Sequence, residues 1–76
     1  MEGILSICSY NCRSLTQNVD IVRELCDEEF SMIFLQETFI TRDKISYLDN
    51  VDNRYASYVV FLNMKQFVLM FQNSMR

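Results

Sequence analysis

Two short apolar runs, separated by one helical stripe, limit the folds that are open to this 76-residue chain. Residues 4–11 alternate apolar with small polar side chains, a pattern that predicts a β-strand. Residues 31–36 form a continuous apolar run of strand length, which is typical of a strand covered on both faces. Two strands with a single helix between them are expected to lie parallel. The pattern therefore predicts an α/β fold that begins with a parallel strand–helix–strand unit.

The helix between the two runs is indicated by apolar side chains that recur every three or four residues. These are Val19, Val22, Leu25 and Cys26, with Ile21 widening the stripe. Thr16 or Asn18 stands where a side-chain oxygen could accept hydrogen bonds from the first free backbone N–H groups. We therefore predict a helix that begins near one of these two residues.

The second half of the chain is patterned less clearly. Residues 43–48 indicate a short helix, residues 49–53 are rich in turn formers, and residues 55–62 are typical of another strand. From residue 63 onward the apolar spacing favours a terminal amphipathic helix and leaves a strand at residues 67–71 as the alternative. The residues that carry this spacing are Met64, Phe67, Val68, Phe71 and Met75.

Composition and charge exclude several classes of protein. Half of the residues are hydrophobic, which excludes a disordered chain. The net charge of −3 is opposite in sign to that of most proteins that neutralise phosphates, so DNA is not an expected partner of this chain alone. No apolar run approaches the roughly 20 residues of a membrane-spanning helix, so no membrane span is expected. A membrane-surface helix over residues 58–76 is the weakest alternative.

Cysteine usage indicates a reducing compartment. The three cysteines cannot all pair within one chain, and no histidine is present to complete a zinc site with them. The first residues also lack the basic region that opens a signal peptide. Reduced thiols in the cytoplasm or the nucleus are therefore expected.

Polar residues end both strands of the predicted parallel pair. Asn11 ends the first strand, and Glu37 directly follows the second. Ligands of parallel sheets gather at the carboxyl ends of the strands, where both side chains should reach the same rim. A carboxylate oxygen suits Mg²⁺, and an amide N–H can donate to a phosphoryl oxygen. The alternative is that each residue simply begins a solvated loop.

The sequence segments around these two residues resemble a known protein family. Residues 9–15 (SYNCRSL) and residues 33–38 (IFLQET) are similar to the opening of the endonuclease/exonuclease/phosphatase superfamily. Within this superfamily, the segments most resemble the apurinic-like endonuclease domain of non-long-terminal-repeat retrotransposons. The resemblance covers residues 4–48. It implies that Asn11 is the catalytic asparagine and that Glu37 is the Mg²⁺ ligand. It also implies a two-sheet α/β sandwich as the fold of the complete domain, and DNA as the partner of that domain.

The rest of the family pattern is missing from this chain. The family carries an Asp-x-Asn pair and a terminal Asp-His pair far downstream, whereas here Asp52 is the last acidic residue and no histidine is present. We therefore expect residues 1–60 to be an amino-terminal fragment of such a domain, a truncated piece of the sandwich. Residues 61–76 are then a divergent, helical tail. The chain alone is expected to be inactive and to bind Mg²⁺ weakly or not at all.

A non-catalytic role is the alternative to this nuclease ancestry. A partly built sheet leaves an unpaired strand edge and uncovered apolar surface, and both features recruit partners. The second hypothesis is therefore a protein-interaction or self-associating module that uses the exposed sheet edge.

Overall fold

The computed structural model describes residues 5–73, which form one mixed sheet, one α-helix and one 3₁₀ segment. The strands are β1 (Ile7–Asn11), β2 (Met32–Gln36), β3 (Tyr55–Leu62) and β4 (Lys65–Gln72). Helix α1 spans Val19–Asp27 and the 3₁₀ segment spans Arg42–Asn50. The strand order is β1-β2-β4-β3, with β1 parallel to β2 and β4 antiparallel to both of its neighbours. The predicted α/β class and its parallel strand–helix–strand beginning are confirmed.

One face of the sheet is covered by the helix and the loops. Alternate residues of β2 and β4 supply its centre, and Ile33, Leu35 and Val68 are fully buried there. From α1, Val22 and Cys26 complete the same core. The predicted helical stripe is thus confirmed at its centre, whereas Ile21 is exposed and does not widen it. Burial raises the pKa of the Cys26 thiol to about 12, consistent with the inert role of a buried cysteine.

The opposite face of the sheet, which we call the open face, is covered by no other element among residues 5–73. Successive side chains of a strand point to opposite faces, so the strand register assigns these residues to one side. Its larger apolar side chains are Ile7, Met32, Phe34, Tyr58, Val60, Leu62, Phe67, Leu69 and Phe71. The prediction that β2 is covered on both faces is therefore wrong for the described residues, whose strands form a single sheet rather than the two of a sandwich.

Strand β4 replaces the helix that we predicted for residues 61–76 and confirms the alternative, a strand at residues 67–71. It lies between β2 and β3, and its residue Met70 pairs with Ile33 of β2. The apolar spacing was misleading because a central strand with one buried and one half-buried face carries apolar residues at nearly every position. The predicted boundary at residue 60 falls inside β3, and residues 74–76, including Met75, lie outside the described residues.

Two arginines hold the amino-terminal helix against the second half of the chain. The Arg23 Nε donates to the carbonyl oxygen of Val51 at 2.9 Å. The Arg54 guanidinium binds both Asp52, at 2.7 Å, and Asp27 on α1, at 2.7 Å. Hydrogen bonds from Arg54 lower the pKa of the Asp52 carboxyl.

Among the described residues, no helix is long and apolar enough to cross a membrane.

Candidate functional site

The two predicted site residues lie side by side at the carboxyl ends of β1 and β2. The Asn11 Nδ2 donates a hydrogen bond of 3.0 Å to Glu37 Oε2. Asn11 is the last residue of β1 and pairs with Gln36, the residue that precedes Glu37. Both side chains are exposed, so solvent and ligands can reach them. The prediction that they share one rim of the sheet is confirmed.

The backbone keeps these two strand ends together beyond the sheet itself. The amide of Cys12 donates to the carbonyl of Gln36 at 3.0 Å, and that of Ser14 donates to Glu37 at 2.8 Å. A further bond of 3.0 Å joins Leu15 to Thr38. The parallel pairing thus continues into the two loops, which fixes the spacing of the amide and the carboxylate.

The buried side chain of Cys12 also links the ends of β1 and β2. It is 1% exposed, and its thiol donates to the carbonyl oxygens of Gln36, at 3.2 Å, and Glu37, at 3.7 Å. Burial raises the pKa of the Cys12 thiol, and the nearby carboxylate of Glu37 acts in the same direction. The thiol therefore stays protonated at neutral pH and serves as a hydrogen-bond donor rather than as a nucleophile.

Asn18 organises the loop that follows β1. Its Nδ2 donates to the carbonyl oxygen of Cys12 at 2.7 Å, with longer bonds to Arg13 and Ser14. The predicted start of the helix is confirmed, since Asn18 directly precedes α1, but the Asn18 side chain makes no capping hydrogen bond to the first amides. The amide group is used instead to hold the loop that Asn11 begins. Arg13 itself is exposed.

Gln66, at the start of β4, holds the loop that follows β2. Its Oε1 accepts hydrogen bonds from the hydroxyl of Thr38 and from the amide of Ile40, the latter at 2.7 Å. Its Nε2 donates to the carbonyl oxygen of Ile40 at 2.8 Å. Thr38 is fully buried, so these bonds also satisfy its hydroxyl. The loop that carries Glu37 is therefore anchored on both the β1 side and the β4 side.

Left-handed backbone conformations are concentrated around this rim. Arg13 and Ser14 after β1, and Glu37 and Phe39 after β2, all have φ between 46° and 88°. Such values are unfavourable for residues other than glycine and persist only where surrounding contacts enforce them. The hydrogen bonds to both loops supply that enforcement. The carboxylate of Glu37 is thus held in place by its backbone as well as by Asn11.

Asn11 and Glu37 supply only part of what a site for Mg²⁺ and phosphate requires. Glu37 supplies one carboxylate, a suitable Mg²⁺ ligand, and Asn11 supplies an amide that can donate to a phosphate oxygen. Within residues 5–73, no group of three or more Cys, Asp or Glu side chains is placed to hold a metal ion. Any ion at Glu37 would therefore take most of its ligands from water and from a bound phosphate.

Sequence reasoning identified the two rim residues but missed the three that position them. Cys12 and Thr38 lie within the segments that carry the family resemblance, but the sequence assigns them no role there. Gln66 had no local signal at all, because its role requires β4 to lie beside β2. Neither a protein-family model nor a curated protein sequence matches this chain.

Proposed function

We propose that this chain is the amino-terminal fragment of a Mg²⁺-dependent endonuclease or phosphodiesterase domain of retrotransposon type. In it, Asn11 positions the phosphate and Glu37 holds the ion. The observation that carries the proposal is the 3.0 Å hydrogen bond between these side chains at the carboxyl ends of two neighbouring parallel strands. This is the edge of an α/β sheet at which ligands bind.

The residues at the rim fit Mg²⁺ only in part. Mg²⁺ takes about six oxygen ligands and is commonly bound through one or two carboxylates, with water and substrate phosphates completing the shell. Glu37 provides the one carboxylate of this pair. When bound, the ion would neutralise charge on a phosphate. Affinity for the ion alone should be low, because nearly all its other ligands must come from water.

The chain alone is not expected to hydrolyse phosphodiesters. Hydrolysis requires a base to activate water as well as charge to hold the phosphate. The chain has no histidine, and its last acidic residue is Asp52. Its three thiols fit a reducing compartment, which favours the cytoplasm or the nucleus as its location.

Paramagnetic Mn²⁺, used as a substitute for Mg²⁺, tests the assignment of Glu37. In ¹H–¹⁵N spectra, Mn²⁺ should broaden the side-chain amide signal of Asn11 in the wild type, because the ion sits on the adjacent carboxylate. Glu37→Gln should abolish the broadening. Glu24→Gln, at an exposed position on α1, should leave it unchanged. Equal broadening of Asn11 in Glu37→Gln, or none in the wild type, would contradict the proposal.

Plasmid DNA incubated with the same samples and Mg²⁺ checks the expected inactivity. No cleavage above the protein-free rate is expected from the wild type. Cleavage that disappears in Glu37→Gln would show instead that the chain is a complete catalyst, and our account of the missing residues would then be wrong.

A second candidate function is self-association, which the open face favours. Two aromatic pairs lie on it: Phe34 stacks on Phe67 with ring centroids 5.1 Å apart, and Tyr58 meets Phe71 edge-on at 6.0 Å. Lys65 is the charged residue at its margin among the described strands. A large apolar surface of this kind is uncommon on a monomer and indicates an interaction site.

The area of the open face suits a second copy of the chain. Strands spaced about 4.8 Å apart with a rise of about 3.3 Å per residue give roughly 400 Å² of flat area. Projecting side chains increase the accessible area toward the roughly 800 Å² that each partner buries in a standard interface. Two open faces can then pack about 10 Å apart, as paired sheets do. Sedimentation over a range of concentrations tests this, and a monomer at every concentration would overturn it.

A further inference from the structure

A cavity of about 550 Å³ adjoins the Asn11–Glu37 pair. It lies between the loop after β2 and the turn that joins β3 to β4. Phe39, Met64 and Phe67 form its apolar walls, and Glu37 and Lys65 are its charged residues within the described chain. Small-molecule sites have volumes of about 300–1,000 Å³ and combine apolar walls with a few polar groups. The cavity has the size and lining of such a site, and it shares Glu37 with the rim.

Phe39 is the exposed aromatic residue of this cavity. It is 65% exposed, although the residues on either side of it, Thr38 and Ile40, are 0% and 5% exposed. The hydrogen bonds from Gln66 to those two neighbours hold the loop. The ring is therefore presented to solvent by a backbone that is already held in place, so a ligand would not have to order the loop.

Backbone strain marks the same cavity. Glu37 and Phe39 both line it, and their φ angles are 52° and 51°. Met64 also lines it, but its φ of 63° belongs to the two-residue turn between β3 and β4. Unfavourable conformations of this kind accumulate where a binding surface is pre-organised.

We propose that this cavity binds a nucleotide unit, with the base against Phe39 and the phosphate beside Lys65. The ligand must bring a flat apolar group for the aromatic wall and negative charge for the lysine, and a nucleotide carries both. Bases stack on aromatic side chains without requiring a particular sequence. The inference rests on the proposed function for its choice of ligand, because the cavity shares Glu37 with the rim at which a phosphate would bind. With a net charge of −3, the chain is suited to a short ligand rather than to long DNA.

Binding of the thymidine dinucleotide in EDTA tests the inference without any metal. Phe39→Leu keeps an apolar side chain but removes the ring, and it should weaken binding by at least about 5-fold, the lower limit of base–aromatic stacking. Phe39→Tyr should bind as the wild type does. Phe61→Leu is the matched control, because Phe61 is 63% exposed on β3 and does not line the cavity.

A dinucleotide analogue with abasic units in place of both nucleosides separates the contributions of base and phosphate. It should bind more weakly than the thymidine dinucleotide, and equally to wild type and Phe39→Leu. Lys65→Met should weaken both ligands, whereas Lys44→Met, at an exposed position in the 3₁₀ segment, should weaken neither.

The inference is overturned if Phe39→Leu and Phe61→Leu bind the dinucleotide alike, or if the abasic analogue binds as tightly as the dinucleotide. Its failure is distinguishable from that of the proposed function. Mn²⁺ broadening at Asn11 that depends on Glu37, without base-dependent binding in EDTA, rejects only the cavity. Base-dependent binding without the Mn²⁺ effect supports the cavity and rejects the metal site.

Discussion

Individual backbone conformations explain much of how this rim is built. Seven residues other than glycine have positive φ in the described chain, and the whole sequence contains a single glycine. Each such residue costs roughly 1–2 kcal/mol relative to an ordinary conformation. Around Thr38 the cost is offset by buried hydrogen bonds, which also place Glu37 and Phe39 outward. In the β3–β4 turn, Asn63 and Met64 have no comparable set of side-chain bonds among those observed.

The β3–β4 turn gives a prediction at the scale of one residue. Leu62 pairs with Lys65, so the turn has two residues, and both have positive φ as in a type I′ turn. Glycine is strongly preferred at the second of these positions. Met64→Gly should therefore stabilise the fold by about 0.5–1 kcal/mol, because relief of strain exceeds the added backbone entropy. Urea unfolding measures this change.

Asn63→Gly is the control for this turn substitution. Asparagine already tolerates the left-handed conformation, so glycine should gain less there. A loss of stability in Met64→Gly would contradict this expectation. It would show that contacts of the methionine side chain stabilise the fold by more than its positive φ costs.

At the scale of elements, β4 is what joins the two halves of the chain. It pairs with β2 on one side and β3 on the other, and its Gln66 reaches the loop after β2. The candidate site thus depends on a strand that follows Glu37 by almost thirty residues. The ends of β1 and β2 alone would bring Asn11 near Glu37, but would leave the segment from Thr38 to Ile40 without its partner.

Replacing Gln66 tests this dependence. Gln66→Ala leaves the buried hydroxyl of Thr38 and both backbone groups of Ile40 without their hydrogen bonds. Each unsatisfied buried group costs about 1–3 kcal/mol, so we expect a loss of about 2–4 kcal/mol after partial relaxation with water. Urea midpoints provide the measurement.

Two further readings separate a local effect of Gln66 from general destabilisation. The exposed Gln17→Ala should leave stability unchanged. The Asn11 side-chain amide signal should shift in Gln66→Ala but not in Gln17→Ala, because the loop that carries Glu37 is released. An unchanged Asn11 signal in a folded Gln66→Ala protein would contradict the positioning role.

The whole molecule is a two-layer unit with one covered and one open side. The sheet extends over four strands, but helix α1 and the loops cover only the face that carries Ile33, Leu35 and Val68. The apolar residues of the open face therefore stay accessible. Strands β1 and β3 also form the two edges of the sheet, so association by edge pairing competes with association face to face.

Two adjacent residues of β3 distinguish these modes of association. Leu62 lies on the open face and is 57% exposed, whereas Phe61 points to the opposite side and is 63% exposed. Leu62→Lys should weaken the dimer by about 10-fold or more, since it places a charge within an apolar interface. Phe61→Lys should leave the dimer intact. Sedimentation equilibrium provides the dissociation constants, and equal effects of both variants would indicate edge pairing through β3.

Local patterns in the amino-acid sequence are enough to specify the first three elements of the fold. The alternating run that ends at Asn11, the stripe around Val22 and the strand before Glu37 specify a parallel unit, and that unit brings the two rim residues together. The spacing of apolar residues is sufficient to predict these elements, because each one forms its hydrogen bonds within its own segment or with the neighbouring strand.

The conformation of residues 65–72 depends instead on long-range pairing with the rest of the sheet. Their apolar spacing is compatible with a helix or a strand, and the gap between β2 and β3 selects the strand because its backbone groups can pair on both sides. The bonds from Gln66 to Thr38 and Ile40, and the cavity beside Phe39, exist only once that strand is in place. Contacts between residues so far apart in the chain leave no local period in the sequence, which is why no pattern could predict them.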